Sequence, residues 1–539
     1  MQGHDRLQAA NADNATTVKG EQPPSWRELA LVAGLIFVWL CASAWLRPLA
    51  LPDEGRYVGV AWEMMRSGDW LTPTLNGMPF FHKPPLFYWI TATSLSLLGL
   101  TEGAARAAPI LGAWLGAFAL YLFARNWWSE RIARMSLVAL LAQPLLYIGG
   151  QYANLDMLVA GCISATILLL AHVVLSIEHG RAFRRALLGA YAMAALAVLA
   201  KGLIGAVIPA LVILAWLVLL RRWRIMLALF SLPGLLLFVL LAGPWFVAMQ
   251  SRFDEFLYYF IVVQHFKRFA GSGFNGVWPF WFYPAVLLLA GLPGLPWLYR
   301  QLRLQSEVRR AATRLLMWVW VVVVVLFFSI PQSKLLGYVL PAVPPLAFLM
   351  ADGFTSLRAA SSRLTQLWWG SAAVSACLSL GAVVWFTVHP PESSRALAAT
   401  LLAQRAPNEP LIMLNDYLYD VPFYARMTPP IPVVNEWTSP EMLTRDDGHK
   451  ELIDAGQFDR ARAATTLISP QSLPTLLCST PVTWIMGRTG WGARYAFLTR
   501  LQAIATHRET SLWRVDAAAP VMAQALNCPV PPGSAAKGG

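Results

Sequence analysis

Two carboxylates stand side by side in Leu51-Pro52-Asp53-Glu54-Gly55-Arg56-Tyr57, directly after the first long apolar stretch of the chain. A carboxylate at the mouth of a cavity near a bilayer can act as a base, accept a hydrogen bond or ligate a metal. The structural alternative is that Asp53, following a proline, caps a helix over Glu54–Arg66. One acid can cap while its neighbour faces elsewhere, so the two readings are compatible. A second acid, Asp156 in Asn154-Leu155-Asp156-Met157, opens another apolar segment. It too could cap a helix, or it could share a site with Asp53.

Cationic residues recur at similar places. Lys83 sits between His82 and two prolines, and aromatic residues including Tyr88 follow it. Proline restricts its own backbone and the residue before it, so Lys83 is held in place. A fixed ammonium suits a phosphate, while a snorkelling lysine in an aromatic belt is the competing reading. Lys201-Gly202 interrupts two apolar segments, and that lysine either reaches the headgroups or meets an anion. His265 and Arg268, three apart, fall on one face of any helix there and could grip a phosphate. Lys334 and Tyr338 close the series in Gln332-Ser333-Lys334-Leu335-Leu336-Gly337-Tyr338.

The elements that must hold these groups are membrane helices. Of 539 residues 57% are apolar and only 13% charged, with 24 tryptophans and a mean hydropathy of +0.51. Soluble domains carry about a quarter charged residues. About 11–13 stretches are apolar enough for spans of roughly 20 residues. They begin near Leu29, Ala105, Ile132, Met157, Ala186, Leu203, Ile225, Phe280, Leu315, Gly337 and Leu367, and Leu86–Leu100 is a shorter interfacial or re-entrant candidate. Arginine clusters such as Arg125/Arg131/Arg134, Arg181/Arg184/Arg185 and Arg221/Arg222/Arg224 fall on every second loop. The positive-inside rule places those loops in the cytoplasm. The N-terminus is then inside and the C-terminus outside.

The same rule puts every candidate residue on the outer side. Those loops run over 47–86, 149–156, the turn at Lys201, 243–279 and 331–336. The first and fourth are long, which favours function over mere connection. Past about Pro390 the apolar runs shorten to strand length at Leu411–Leu414, Ile431–Val434, Thr465–Ser469 and Val482–Met486, with a last one at Thr510–Val515. Helical stretches, for example Asp420–Met427 and Gln457–Ala463, separate them, as in a small α/β unit. The expected organisation is a cytoplasmic tail over 1–28, a transmembrane domain over 29–389 and an outer α/β domain over 390–539. The fold class is thus an α-helical polytopic membrane protein with a C-terminal soluble α/β domain.

The net charge of +13 reflects those arginine loops. No basic-aromatic groove is present, so nucleic acid is not an expected partner. No P-loop, GxGxxG after a strand, HExxH or GxSxG occurs, which removes support for soluble ATPase, dehydrogenase, zinc-protease and hydrolase readings. Of the five cysteines, Cys41, Cys162 and Cys377 lie in apolar segments. Cys478 and Cys528 lie in the tail and could pair in an oxidising compartment.

The order of the motifs resembles the polyprenyl-phosphate-dependent glycosyltransferases of the GT-C fold, among them the protein mannosyltransferases and, more closely, the bacterial lipid A aminoarabinose transferases. It is carried by Pro52-Asp53-Glu54-Gly55-Arg56-Tyr57, Glu63-Met64, Ser67-Gly68-Asp69-Trp70, Asn76-Gly77, Lys83-Pro84-Pro85, Tyr88-Trp89, Asp156-Met157, Lys201-Gly202 and Ser333-Lys334. Asp420-Val421-Pro422-Phe423-Tyr424 in the tail is similar too. The resemblance implies inverting transfer of a sugar from a lipid phosphate, on the periplasmic face of a bacterial inner membrane. It implies undecaprenyl phosphate-linked aminoarabinose as donor and lipid A as acceptor. Asp53 would be the main catalytic acid, with Asp156 and Glu54 beside it. Lys83 and Arg268 would hold donor phosphate. Arg56, Tyr57, Lys201, His265, Lys334, Tyr338, Tyr88 and His82 would complete the substrate site. No cofactor is required on this reading, although a divalent metal could bridge Asp53, Asp156 and His265. No partner chain is called for beyond the membrane lipids, so a monomer is expected. One departure is His82, where an acid is expected in close enterobacterial relatives and which leaves the sugar amine without an assigned partner.

Two rivals remain. A sister enzyme would use another sugar or a protein acceptor. A lipid transporter would place its charges at the midplane and show inverted repeats, whereas these charges gather at one face.

Overall fold

Helices fill the chain from Trp26 to Val388, and a mixed sheet with short helices follows it. The computed structural model describes residues 24–267, 276–304, 308–357, 361–444 and 447–529. Each of the eleven apolar starts falls in or beside a helix. Among the described residues six helices are long and apolar enough to cross a membrane: Ala107–Trp127, Leu155–Glu178, Leu232–Arg252, Arg310–Ser329, Leu336–Thr355 and Ser362–Val388. Two bent pairs raise the number to eight. The expected 11–13 is reached only by adding shorter helices such as Trp26–Cys41, Leu86–Leu98 and Ile204–Leu219. The protein is a multi-pass membrane protein.

Proline explains the bends. Glu130–Ala142 stops before Pro144 and the chain turns by 65° into Pro144–Gly150. Proline cannot donate the backbone bond and disfavours helix in the residue before it. The start expected at Ile225 moves for a related reason. Trp223–Ala228 is a separate short helix, and the long one begins at Leu232, capped by the Ser231 hydroxyl.

Small residues set the core crossing. The helices Ala107–Trp127 and Leu155–Glu178 touch at Gly112, Gly116 and Gly161, where a Cβ on Gly161 would lie 2.0 Å from the Gly112 carbonyl. Such spacing lets membrane helices approach backbone to backbone. The spanning window of Leu155–Glu178 is accordingly 83% buried, against 22% for Leu232–Arg252 and 17% for Ser362–Val388, which face lipid. Asp156 thus sits at the end of the most enclosed of these three helices.

The tail holds a six-stranded sheet in the order β5-β4-β3-β6-β8-β7. Its strands are β3 (Leu411–Leu414), β4 (Val433–Val434), β5 (Leu467–Ile468), β6 (Val482–Arg488), β7 (Ala505–His507) and β8 (Thr510–Asp516). β5, β4, β3 and β6 run parallel, and β8 pairs antiparallel with both β6 and β7. Cys478 and Cys528 form a disulfide that packs against the buried tail residues Leu473, Leu477 and Leu526. β1 (Thr74–Leu75) and β2 (Met78–Pro79) make a separate hairpin in the loop region between Ser67 and Leu86. Its turn is Asn76-Gly77, with φ of 51° and 76°. That is the left-handed pair a two-residue hairpin needs.

Candidate active site

The two adjacent acids diverge at once. Asp53 and Glu54 begin the helix Asp53–Ser67, whose cap position is Pro52 and which has no side-chain cap. Asp53 is therefore free of the capping role. Its carboxylate accepts from Arg56 Nη2 at 2.5 Å and keeps about a third of its surface exposed. Glu54 points the other way and is fully buried. It receives Arg47 and Arg106 together with the backbone N–H groups of Ala50, at 2.9 Å, and Ala153, at 2.8 Å. Burial pushes the Glu54 carboxyl up, but the Arg106 and Arg47 guanidiniums outweigh it and hold it down at about 2. Glu54 is thus corrected from candidate catalytic acid to a structural anion whose lone pairs are spent.

Asp156 does not cap its helix either, because the Asn154 side chain accepts from the Asp156 N–H. Its carboxylate forms an ion pair with Lys201. The Lys201 ammonium lies 4.4 Å from the centre of the Tyr338 ring. Gly337 packs so closely on Asp156 that a side chain there would collide with the carboxylate. Asp53 and Asp156 feel one another: burial pushes the Asp53 carboxyl up, Arg56 pulls it down, Asp156 and Glu451 push it up, and Lys201 pulls it down.

Arg56 joins two parts of the chain. Besides Asp53 it forms an ion pair with Glu451, on the helix Gly448–Phe458 of the tail. It also stacks over the Tyr57 ring at 4.8 Å. Near the same carboxylate are His82 Nδ1, at 3.8 Å, and the Tyr419 hydroxyl, which donates at 3.4 Å. His82 stacks on Phe80 and precedes half-buried Lys83. Two buried polar atoms in this cluster, Arg56 Nε and the Tyr88 hydroxyl, have no hydrogen-bond partner among the described residues. Buried polar groups are normally satisfied, so these two suit the hydroxyls or phosphate oxygens of a polar substrate.

The hairpin carries this segment. Glu63 accepts from Thr74 Oγ1 at 2.7 Å and from the N–H groups of Asn76 and Gly77 at 2.7 and 2.9 Å. Asn76 then exchanges two hydrogen bonds with the Ile431 backbone, fastening the loop to the tail.

The remaining candidates fare differently. His265 lies on a π-helical turn over Tyr258–Lys267. Its Nδ1 donates to the Phe260 carbonyl at 2.6 Å, which leaves Nε2 to accept from the Leu203 N–H at 3.4 Å. It therefore braces the Lys201 turn. Lys334, a substrate-site candidate, is instead a fastener: it is buried and donates to the carbonyls of Trp278 and Pro331 at 2.9 and 2.6 Å. Arg268 lies outside the described residues. For a metal, Asp53, Asp156 and His265 fit poorly, since both acids are engaged by cations and both imidazole nitrogens by backbone. Among the described residues no three acidic, His or Cys side chains gather as a metal site. Sequence reasoning missed Glu451, Tyr419, Arg47 and Arg106.

Comparison with known proteins adds three findings. Residues 82–247 match the family described as dolichyl-phosphate-mannose-protein mannosyltransferase. The undecaprenyl phosphate-alpha-4-amino-4-deoxy-L-arabinose arabinosyl transferase of Aeromonas hydrophila is 33% identical over 369 residues, 66% of each chain. Transferase 1 of the same description from Sodalis glossinidius is 37% identical over 57% of this chain and 55% of that one. The matched stretch thus spans just under two thirds, or little more than half, of these relatives. In structure the chain is similar to ArnT from Cupriavidus metallidurans bound to undecaprenyl phosphate, with a TM-score of 0.74, 22% identity, and 90% of this chain and 97% of that one covered. The apo state of that protein gives a TM-score of 0.73.

Proposed function

We propose that the chain is a GT-C-fold, polyprenyl-phosphate-dependent glycosyltransferase and that it moves 4-amino-4-deoxy-L-arabinose from undecaprenyl phosphate to a phosphate of lipid A. The observation that carries the reading is the pair of ion clusters at one face, Asp53–Arg56 and Asp156–Lys201, each an acid held by a cation without being used up as a helix cap. We place this face on the periplasmic side of a bacterial inner membrane. The arginine-rich alternate loops support that orientation, as does a disulfide in the tail, since disulfides persist in oxidising compartments.

An acceptor phosphate is already anionic at neutral pH, so it needs no strong base. One of its oxygens attacks the anomeric carbon from the face opposite the donor phosphate. The bond from that carbon to the donor oxygen breaks, its electron pair leaves on undecaprenyl phosphate, and the configuration inverts. Positive charge develops on the sugar ring as in glycosidases, and Asp53 with Asp156 offers negative charge to it. Lys83, Lys201 and Arg56 offset the two phosphates, while Tyr57, Tyr88 and Tyr338 line the sugar and lipid-phosphate path. These cations supply the counter-charge, so the reading calls for no metal. The product masks lipid A phosphate charge and should weaken binding of polymyxin and other cationic peptides.

The test is reconstitution. Purified chain is mixed in detergent with undecaprenyl phosphate-linked aminoarabinose and lipid A, and the lipid A is followed by mass spectrometry. Pentosamine-bearing lipid A is the expected product. Unchanged lipid A with intact enzyme would overturn the acceptor, and a peptide acceptor would then be tried because residues 82–247 match the mannosyltransferase description.

A further inference from the structure

The helix Gly448–Phe458 belongs to the tail by sequence, yet its side chains reach the first and fourth outer loops. Glu451 pairs with Arg56 and lies near His82. One turn on, Asp454 accepts from the Tyr259 hydroxyl at 3.0 Å, and that hydroxyl accepts from Gln264 at 2.9 Å. Phe458 packs edge-on against Phe81 and Tyr259. At the other end, the His449 ring lies 3.0 Å from an Asp447 oxygen and 3.2 Å from an Asp416 oxygen, tying the helix start to the end of β3. Residues 451, 454 and 458 follow helical spacing, so one face of one helix serves both loops.

The consequence concerns Arg56. Its guanidinium stands between two carboxylates, Asp53 three residues away and Glu451 395 residues away. A cation shared between two anions cannot neutralise either fully. Glu451 is 11% exposed in its side chain and is itself backed by the Tyr419 hydroxyl, whereas Asp53 is 32% exposed. The buried partner fixes the guanidinium, and the open one remains available to a substrate.

We propose that Glu451 is a positioning residue for Asp53: acting through Arg56, it keeps the Asp53 carboxylate in place and only partly neutralised, so the C-terminal α/β region completes the active site. This rests on the transferase reading for its kinetic consequence, but not for its chemical one. The charged groups facing Asp53 are Arg56, Asp156, Glu451 and Lys201. With Glu451→Gln one negative neighbour is lost and Arg56 is released to Asp53 alone. Both changes favour ionised Asp53, so its titration midpoint moves to lower pH.

Full-length wild type, Glu451→Gln and Glu451→Asp are compared. The first readout needs no turnover: the pH dependence of carbodiimide labelling of Asp53, read by peptide mass spectrometry. The midpoint should fall by about half a pH unit or more in Glu451→Gln and return toward wild type in Glu451→Asp. The second readout is transfer to lipid A. In Glu451→Gln, kcat should fall roughly ten- to hundredfold, its acid limb should move down, and KM for the lipid donor should change little. An unmoved labelling midpoint in folded Glu451→Gln overturns the inference, whatever the activity. A moved midpoint in Glu451→Gln, with wild-type protein that transfers nothing to lipid A, leaves the inference standing and sinks the functional reading.

Discussion

The buried start of the helix Asp53–Ser67 and the surface beside it are built from the same chemistry, acids with arginines, to opposite ends. At the buried start, Glu54 is enclosed by Arg47, Arg106 and two backbone N–H groups. At the surface, Asp53 holds one edge of Arg56, whose other side is taken by Glu451. The residues are neighbours in sequence and differ by which side of one helix they leave. An anion with every lone pair spent stabilises structure. An anion with a shared cation and open surface can respond to a substrate. Charge alone does not distinguish a site from a brace; saturation does.

The largest effect should come from opening the brace. Glu54→Gln leaves Arg47 and Arg106 buried without their counter-charge, at a cost of about 3–5 kcal/mol. It should abolish monodisperse protein in size-exclusion chromatography. Recovery of stable, active Glu54→Gln enzyme would erase the contrast. Next comes Asp53→Asn, which should purify like wild type yet transfer about 10²–10³-fold more slowly. Asp156→Asn and Lys201→Met sharpen the picture. Each should cost roughly ten- to hundredfold, and the double variant should be little worse than the poorer single one, because the two side chains act as one pair. Additive losses would mean separate roles.

Acid should discriminate as well. Glu54 is depressed from its usual 4.5 to about 2, so its stabilisation is present above the unfolded value and is lost as pH falls from about 4.5 toward 2. Thermal midpoints measured down that range should drop in wild type. A flat profile would contradict the assignment of Glu54 as the ionised brace. The smallest effect is expected from chelation: activity after EDTA dialysis should match the untreated enzyme, since arginine and lysine provide the counter-charge. Loss restored by a divalent cation would mean that Asp53 and Asp156 exchange their cationic partners for a metal.

Much of this arrangement was legible in the residues. Apolar length located a helix at each expected start. The strand at Leu411–Leu414 has the bounds its apolar run predicts, and the strands starting at Val482 and Thr510 end within two residues of theirs. β7 escaped because Ala505–His507 is short and mostly exposed, with no apolar run. The hairpin at Asn76-Gly77 could have been found, since that dipeptide is a strong turn signal. Glu451 could not, because nothing local marks a carboxylate whose partner is 395 residues distant. Nor could composition tell that Lys334 would be spent on two carbonyls while Lys201 would meet Asp156. Those outcomes depend on which loops pack together, which a pattern of single residues does not encode.

The most direct test of the central claim is lipid A from a polymyxin-sensitive strain lacking its own transferase, expressing either this chain or its Asp53→Asn variant at matched membrane levels. Mass spectrometry should find aminoarabinose on lipid A phosphate with the wild-type chain and none, or a trace, with the variant. Equal modification by both would contradict the role given to Asp53, and unmodified lipid A with well-expressed wild type would contradict the reaction itself.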